Sequence, residues 1–186
     1  MPPEHEADRH GPLARLSAGT AFTTLPPASR FVLRGRAAAI RVAGASFGGA
    51  LPEQSCRAAV PGGGRAALWL GPDEWLLLAP SAEGVSLARA LGEALGAYPH
   101  SLVEVSHRQI AVEVFGPHAA AVLNAGCPLD LDPEAFPVDM CSRTVLAKSE
   151  IVLWRTAPDT FHVELARSFA LYVRGFLEEA SREFRD

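Results

Sequence analysis

One succession of strands, turns and helix signals occurs twice along this chain, and any fold has to house both copies. Phe31-Val32-Leu33-Arg34-Gly35 reads as a short strand closed by glycine. Ala37 to Phe47 follows, with Ala37, Ile40, Gly44 and Phe47 at helical spacing. Further on, Ile110 to Gly116 is again a strand ending at glycine. A helix over Pro117–Ala125 comes next, with proline in its first turn and Gly126 just past its end. The copies then run through Cys56-Arg57 and Cys141-Ser142-Arg143. Each reaches a hairpin: Ala67–Leu70 and Trp75–Leu78 about the turn Gly71-Pro72-Asp73-Glu74, and Ile151–Arg155 and Phe161–Leu165 about Ala157-Pro158-Asp159-Thr160.

Each hairpin leads into an amphipathic helix. The first covers about 84–97, with Leu87, Leu91, Ala94, Leu95 and Tyr98 on one stripe. The second covers about 168–184, with Phe169, Tyr172, Val173, Phe176, Leu177, Ala180 and Phe184. Equivalent landmarks lie 81 residues apart at Gly35 and Gly116, 85 at Cys56 and Cys141, and 86 at Pro72 and Pro158. A slowly growing offset is the mark of a tandem duplication with small insertions. Strand, helix, strands, helix in each copy predicts an α+β fold of two similar βα-repeats, with antiparallel sheets and helices packed on them. The 16 Gly and 15 Pro of the 186 residues then mark the same turns twice. The predicted organisation is a flexible N-terminal arm over 1–29, a first α+β repeat over 30–107 and a second over 108–186, the repeats sharing one body.

Composition narrows the function classes. With 17 basic against 21 acidic residues the net charge is −4, so no nucleic-acid partner is expected. The longest apolar runs are five residues, such as Ala66–Leu70, far short of the roughly 20 a bilayer span needs. Three cysteines cannot close a disulfide framework, and Met1 to Glu6 is acidic and lacks an apolar stretch. The expected location is therefore reducing and cytoplasmic.

Candidate sites are few. Six His and three Cys include no Cys-x-x-Cys or His-x-x-x-His, so no metal site is expected. Cys127 follows Gly126 beyond a helix C-terminus, where the dipole disfavours a thiolate, and Cys56 and Cys141 read as packing residues entering strands. Gly62-Gly63-Gly64 precedes a strand rather than a helix, which makes it a flexible connection and not a phosphate loop. The stretch from Glu104 to Gln109, containing Ser106, His107 and Arg108, reads equally as a polar loop at a subunit or ligand surface and as a solvated link between repeats. Arg34 and Arg36, near Arg30 and Arg41, fit a protein interface or a solvated edge. No catalytic, cofactor-binding or metal-ligating residue is assigned.

Several segments also resemble one family. Leu70-Gly71-Pro72-Asp73-Glu74-Trp75-Leu76-Leu77, Val105-Ser106-His107-Arg108, Leu123-Asn124-Ala125-Gly126-Cys127-Pro128-Leu129-Asp130-Leu131, Cys141-Ser142-Arg143-Thr144 and Arg167-Ser168-Phe169-Ala170 look like the gamma-subunit family of heterotetrameric sarcosine oxidase, over about Phe31 to Phe184. The resemblance implies a non-catalytic chain in a complex with alpha, beta and delta subunits. That complex oxidises sarcosine to glycine with oxygen, releases hydrogen peroxide and passes the methyl carbon to tetrahydrofolate. FAD, FMN, NAD, tetrahydrofolate and zinc are expected in the partner subunits and none on this chain. The family is similar in turn to the folate-binding aminomethyltransferase (glycine-cleavage T-protein) superfamily, whose duplicated α+β architecture agrees with the repeat. An alternative is therefore a folate-binding or aminomethyltransferase-like module, with Trp75, His107 and Arg108 as ligand contacts. Asp73, Arg143 and Arg167, within the resembling segments, complete the interface or ligand candidates with Arg34 and Arg36.

Overall fold

The structure, a computed structural model, describes residues 20–184. Its strands are β1 (Ala21–Thr24), β2 (Ala28–Gly35), β3 (Ala58–Gly62), β4 (Arg65–Gly71), β5 (Glu74–Pro80), β6 (His100–Glu104), β7 (Gln109–Phe115), β8 (Cys141–Leu146), β9 (Ser149–Ala157) and β10 (Thr160–Ala166). The helices are α1 (Ala37–Phe47), α2 (Gly84–Leu95), α3 (Ala119–Asn124) and α4 (Ala170–Ala180). Two antiparallel five-stranded sheets result, one in the order β3-β4-β5-β2-β6 and the other in the order β8-β9-β10-β7-β1. The repeat survives at the level of register, since Phe31 faces Leu77 in the first sheet where Val112 faces Val163 in the second.

Strand alternation divides the side chains into layers. Phe31, Leu33, Trp75 and Leu77 point to one face of the first sheet and bury the stripes of α1 and α2, including Ile40, Phe47, Leu87 and Leu91. Val112, Val114, Leu153, Phe161 and Val163 do the same in the second sheet beneath α3 and α4, against Val122, Leu123, Val173 and Leu177. The opposite faces meet. Ala66, Leu68, Leu76 and Leu78 of the first sheet pack on Cys141, Val152 and Trp154 of the second. The order of layers is helix, sheet, sheet, helix.

The fifth strand of each sheet comes from the other copy's leader. β6 precedes the second repeat but pairs with β2, and β1 precedes the first repeat but pairs with β7. This corrects the predicted arm over 1–29. Residues 1–19 lie outside the described residues, whereas Ala21–Thr24 is a strand and Ala28 and Ser29 open β2. Pro26 and Pro27, which read as chain punctuation, occupy the step from one sheet to the other, where a residue without an N–H leaves no ladder bond unmade. Phe22, 3% exposed, joins the helix-side core of the second sheet.

Two further readings change. Gly62, Gly63 and Gly64 form a tight hairpin turn between β3 and β4, at φ of 100°, 63° and 73°, which L side chains rarely adopt. The predicted helix over 168–184 is α4 flanked by short 3₁₀ turns, and Phe169 and Tyr172 of its stripe are exposed rather than in the core. Among the described residues no helix is long and apolar enough to cross a membrane.

Replacing Phe22 by alanine is expected to lower the unfolding free energy by about 3–5 kcal/mol, as for other buried aromatic truncations. Urea unfolding measures this, and an unchanged midpoint would make residues 21–24 dispensable to the fold.

Candidate functional site

Between the stacked sheets the alternation places charged side chains where strands usually present them to water. Arg30, Val32 and Arg34 share the inner face of β2, as do His162, Glu164 and Ala166 on β10. Arg30 Nε donates to Glu164 Oε2 at 2.6 Å, and the two side chains are only 3% and 1% exposed. The other carboxylate oxygen, Oε1, lies 2.8 Å from His162 Nε2, and Arg30 also donates to the Ala28 carbonyl at 3.0 Å. The link from β6 to β7 folds over this pair. The Arg30 amide donates to Ser106 Oγ at 2.9 Å, the Val105 amide donates to the Arg30 carbonyl at 2.8 Å, and the Ser106 hydroxyl donates to Glu104.

A second tie lies further along β2. Arg34 and Glu74 are partners across β2 and β5, and Arg34 donates to Glu74 Oε2 at 2.5 Å. Arg143, on β8 of the other sheet, donates to Glu74 Oε1 at 2.5 Å. Burial by itself would raise the Glu74 pKa. The hydrogen bonds and positive charges of Arg143 and Arg34 outweigh it and hold the carboxyl below its ordinary value of 4.5. One carboxylate thus holds an arginine of each half, one on each of its oxygens.

A cleft of about 330 Å³ opens between the sheets, lined by Val32, Leu70 and Leu76 on one side and by Gln109, Arg143, Glu150, Val152 and Glu164 on the other. Its polar groups largely hold the structure together, Glu164 through both oxygens and Arg143 through Glu74. The Gln109 Oε1 atom is buried and has no hydrogen-bond partner. Among the described residues no group of three or more His, Cys, Asp or Glu could hold a metal ion.

The sequence-derived candidates therefore scatter. Arg34 and Arg143 meet at Glu74, each with roughly half of its side chain exposed. Arg108 and Arg167 are exposed neighbours, the Arg167 amide donating to the Arg108 carbonyl at 2.9 Å, and His107 beside them is exposed. Arg36 and Asp73 are exposed at the glycine end of β2, where the Gly35 amide donates to the Asp73 carbonyl at 3.1 Å. Trp75 is misplaced as a ligand contact. It is 4% exposed in the core beneath the helices of the first sheet, and its indole N–H donates to the Pro52 carbonyl at 2.8 Å. The stretch 104–109 is the crossing between sheets, with Glu104, His107 and Arg108 exposed and Val105 turned into the inter-sheet core.

Glu74, His162 and Glu164 escaped the sequence reading, and Arg30 enters it only as part of an arginine cluster at an interface or solvated edge. A charged residue alternating with Phe161, Val163 and Leu165 looks like the wet side of a half-buried strand, and nothing local tells that a second sheet covers it. The only available signal was the repeat itself, since two copies each with one helix-covered face leave two faces to be stacked.

The comparisons with known proteins agree with one another. The family model described as "Sarcosine oxidase, gamma subunit family" matches residues 34–183. A relative from Arthrobacter sp., the sarcosine oxidase subunit gamma, is 39% identical over 140 residues, which cover 75% of this chain and 68% of the relative. A chain of the heterotetrameric sarcosine oxidase from Corynebacterium sp. U-96, solved in complex with pyrrole 2-carboxylate, superposes with a TM-score of 0.85 at 30% identity. The match covers 94% of this chain and 89% of that one. The glycine cleavage system aminomethyltransferase T from Bartonella henselae shares the fold, with a TM-score of 0.68 at 15% identity over 89% of this chain and 47% of that one.

Two outcomes test the ties. Arg30→Ala is expected to cost about 3–5 kcal/mol of stability because it strands a buried carboxylate. Arg30→Met combined with Glu164→Leu is expected to recover most of that loss, both read by chemical denaturation. Because the Glu74 pKa is depressed on folding, its contribution is full well above pH 4.5 and drains away as the pH falls below that value. The unfolding midpoint of the wild type should therefore fall more steeply in acid than that of Glu74→Gln, and parallel profiles would refute the assignment.

Proposed function

The chain belongs to the sarcosine oxidase gamma subunit family, and on that premise we propose that it serves as the non-catalytic gamma subunit of a heterotetrameric sarcosine oxidase, packed against alpha, beta and delta chains. The observation that carries this reading is the family match over residues 34–183. In this reading the chemistry resides in the partners. FAD, FMN, NAD and tetrahydrofolate sit in the larger subunits and zinc in the delta chain. The assembled enzyme oxidises sarcosine to glycine with oxygen, releases hydrogen peroxide and delivers the methyl carbon to tetrahydrofolate.

The surface suits that role. Arg34 and Arg143 are tied through Glu74 yet partly exposed, so their guanidinium planes are pre-oriented toward a partner's carboxylates. Phe169, Leu171 and Tyr172 stand exposed around the start of α4, and aromatic residues and arginine are enriched in interfaces. Arg108 and Arg167 lie side by side where β6 crosses to β7.

Co-expression of the partner chains with and without this one tests the proposal. Omitting it is expected to lower the yield, flavin content and sarcosine turnover of the complex. Equal values in both preparations would overturn a supporting role.

A further inference from the structure

The two copies of the repeat touch at a pair of cysteines that occupy equivalent positions. Arg57 and Met140 form an antiparallel bridge outside the sheets. The amide of Ala58 donates to the Asp139 carbonyl at 2.8 Å, and that of Cys141 donates to the Cys56 carbonyl at 2.9 Å. In an antiparallel ladder the residue before one bridged position faces the residue after the other, so Cys56 and Cys141 are direct cross-strand neighbours. The 2.9 Å bond between the Cys141 amide and the Cys56 carbonyl holds the two backbones side by side. Hydrogen-bonded cross-strand residues have Cα atoms about 5.5 Å apart, within the roughly 4.4–6.8 Å that disulfides span. Closure thus asks for side-chain adjustment rather than for a long backbone movement. Cys56 sits in a turn at φ 58°, just ahead of the bridged Arg57, so the adjustment falls on the turn rather than on a strand.

We propose that Cys56 and Cys141 form a redox pair that closes a reversible disulfide between the two halves of the chain when hydrogen peroxide is present.

Their environments divide the labour. Cys56 is half-buried and meets the oxidant, whereas Cys141 is fully buried, its thiol donating toward the Trp69 carbonyl at 3.5 Å. The Cys56 sulfur attacks one peroxide oxygen. The O–O bond breaks, water leaves, and a sulfenic acid remains. The Cys141 sulfur then attacks the Cys56 sulfur, the S–O bond breaks, and a second water departs with the Cys141 proton. Two thiols have lost two electrons and two protons, which the peroxide has taken up as two waters. Burial pushes the Cys141 thiol up to about 12, which slows its attack on Cys56 and, once the bond is made, makes it a poor leaving group. A thiol attacking at Cys56 therefore expels it slowly, and the closed form persists until a reductant acts. In a reducing compartment the pair rests open and closes transiently. The third cysteine, Cys127, is buried in the helix-side core of the second sheet with its sulfur 3.9 Å from Thr144 Oγ1, and serves as an internal control.

The test treats the full chain, alone or in the complex it purifies with, with hydrogen peroxide, then denatures it and labels free thiols with a maleimide for mass spectrometry. Closure removes two of the three thiols and yields one peptide pair joining Cys56 to Cys141 within a single chain. Dithiothreitol restores both thiols, and Cys127 stays labelled throughout. Cys141→Ser is expected to accumulate sulfenic acid at Cys56, and Cys56→Ser to keep Cys141 as a free thiol. Three labelled thiols after treatment, sulfinic acid at Cys56 beside an unmodified Cys141, or a link between two chains would each overturn the proposal. The thiol count on the wild-type chain decides the question whether or not a variant folds, and it reads the cysteine pair independently of any sarcosine oxidase activity.

Discussion

The stacking of two sheets whose facing surfaces carry charge is the constraint on which the rest of this molecule depends. Apolar contacts alone hold one part of the seam, through Leu68, Leu76, Val152 and Trp154. Elsewhere the facing strands bring Arg30, Glu74 and Glu164 out of bulk water, and each of these is paired, Glu74 with the half-exposed Arg34 and Arg143. Such pairing adds little net stability, because desolvation offsets most of the attraction. Its effect is selective. A slip of one strand position would turn these side chains into the apolar helix-side layers and leave them unpartnered, so the ties fix how the halves meet.

The exchange of leading strands follows from the same seam. β1 and β6 each complete the sheet of the other copy, and the chain steps between sheets at two short links, residues 25–27 and 105–108. The second link is anchored on the backbone of Arg30, whose side chain makes the deepest ion pair of the seam. The hydroxyl of Ser106 thereby acquires a reason. This segment must leave one sheet and enter another within a few residues, and its hydroxyl and amide groups are used in doing so.

Much of the fold was legible because its signals are local. Helical spacing placed α1 at the limits it has, and Pro-Asp turns placed both hairpins within a few residues. What was hidden depended on partners distant in sequence. Ala21 to Thr24 is too short and too polar at its end to declare itself a strand, and its partner lies about 90 residues away. Trp75 resembled a ligand contact because an aromatic beside a turn looks accessible, yet the alternation of β5 turns it under the helices. Glu74 stood next to the chosen Asp73, and only the arrival of Arg143 from the second repeat distinguishes the two. The family resemblance, read from turns and polar segments, needed none of this tertiary information and agrees with the match over residues 34–183.

The borrowed strand also sets a schedule for synthesis. β1 leaves the ribosome ahead of every other described element, yet the strand it pairs with, Gln109–Phe115, is made only after the whole first sheet and its helices. Translation at about 5–20 residues per second keeps Phe22 without its pocket for several seconds. During that interval the first half can assemble all five of its strands up to Glu104, while the segment ahead of it stays open to chaperones or to a neighbouring nascent chain.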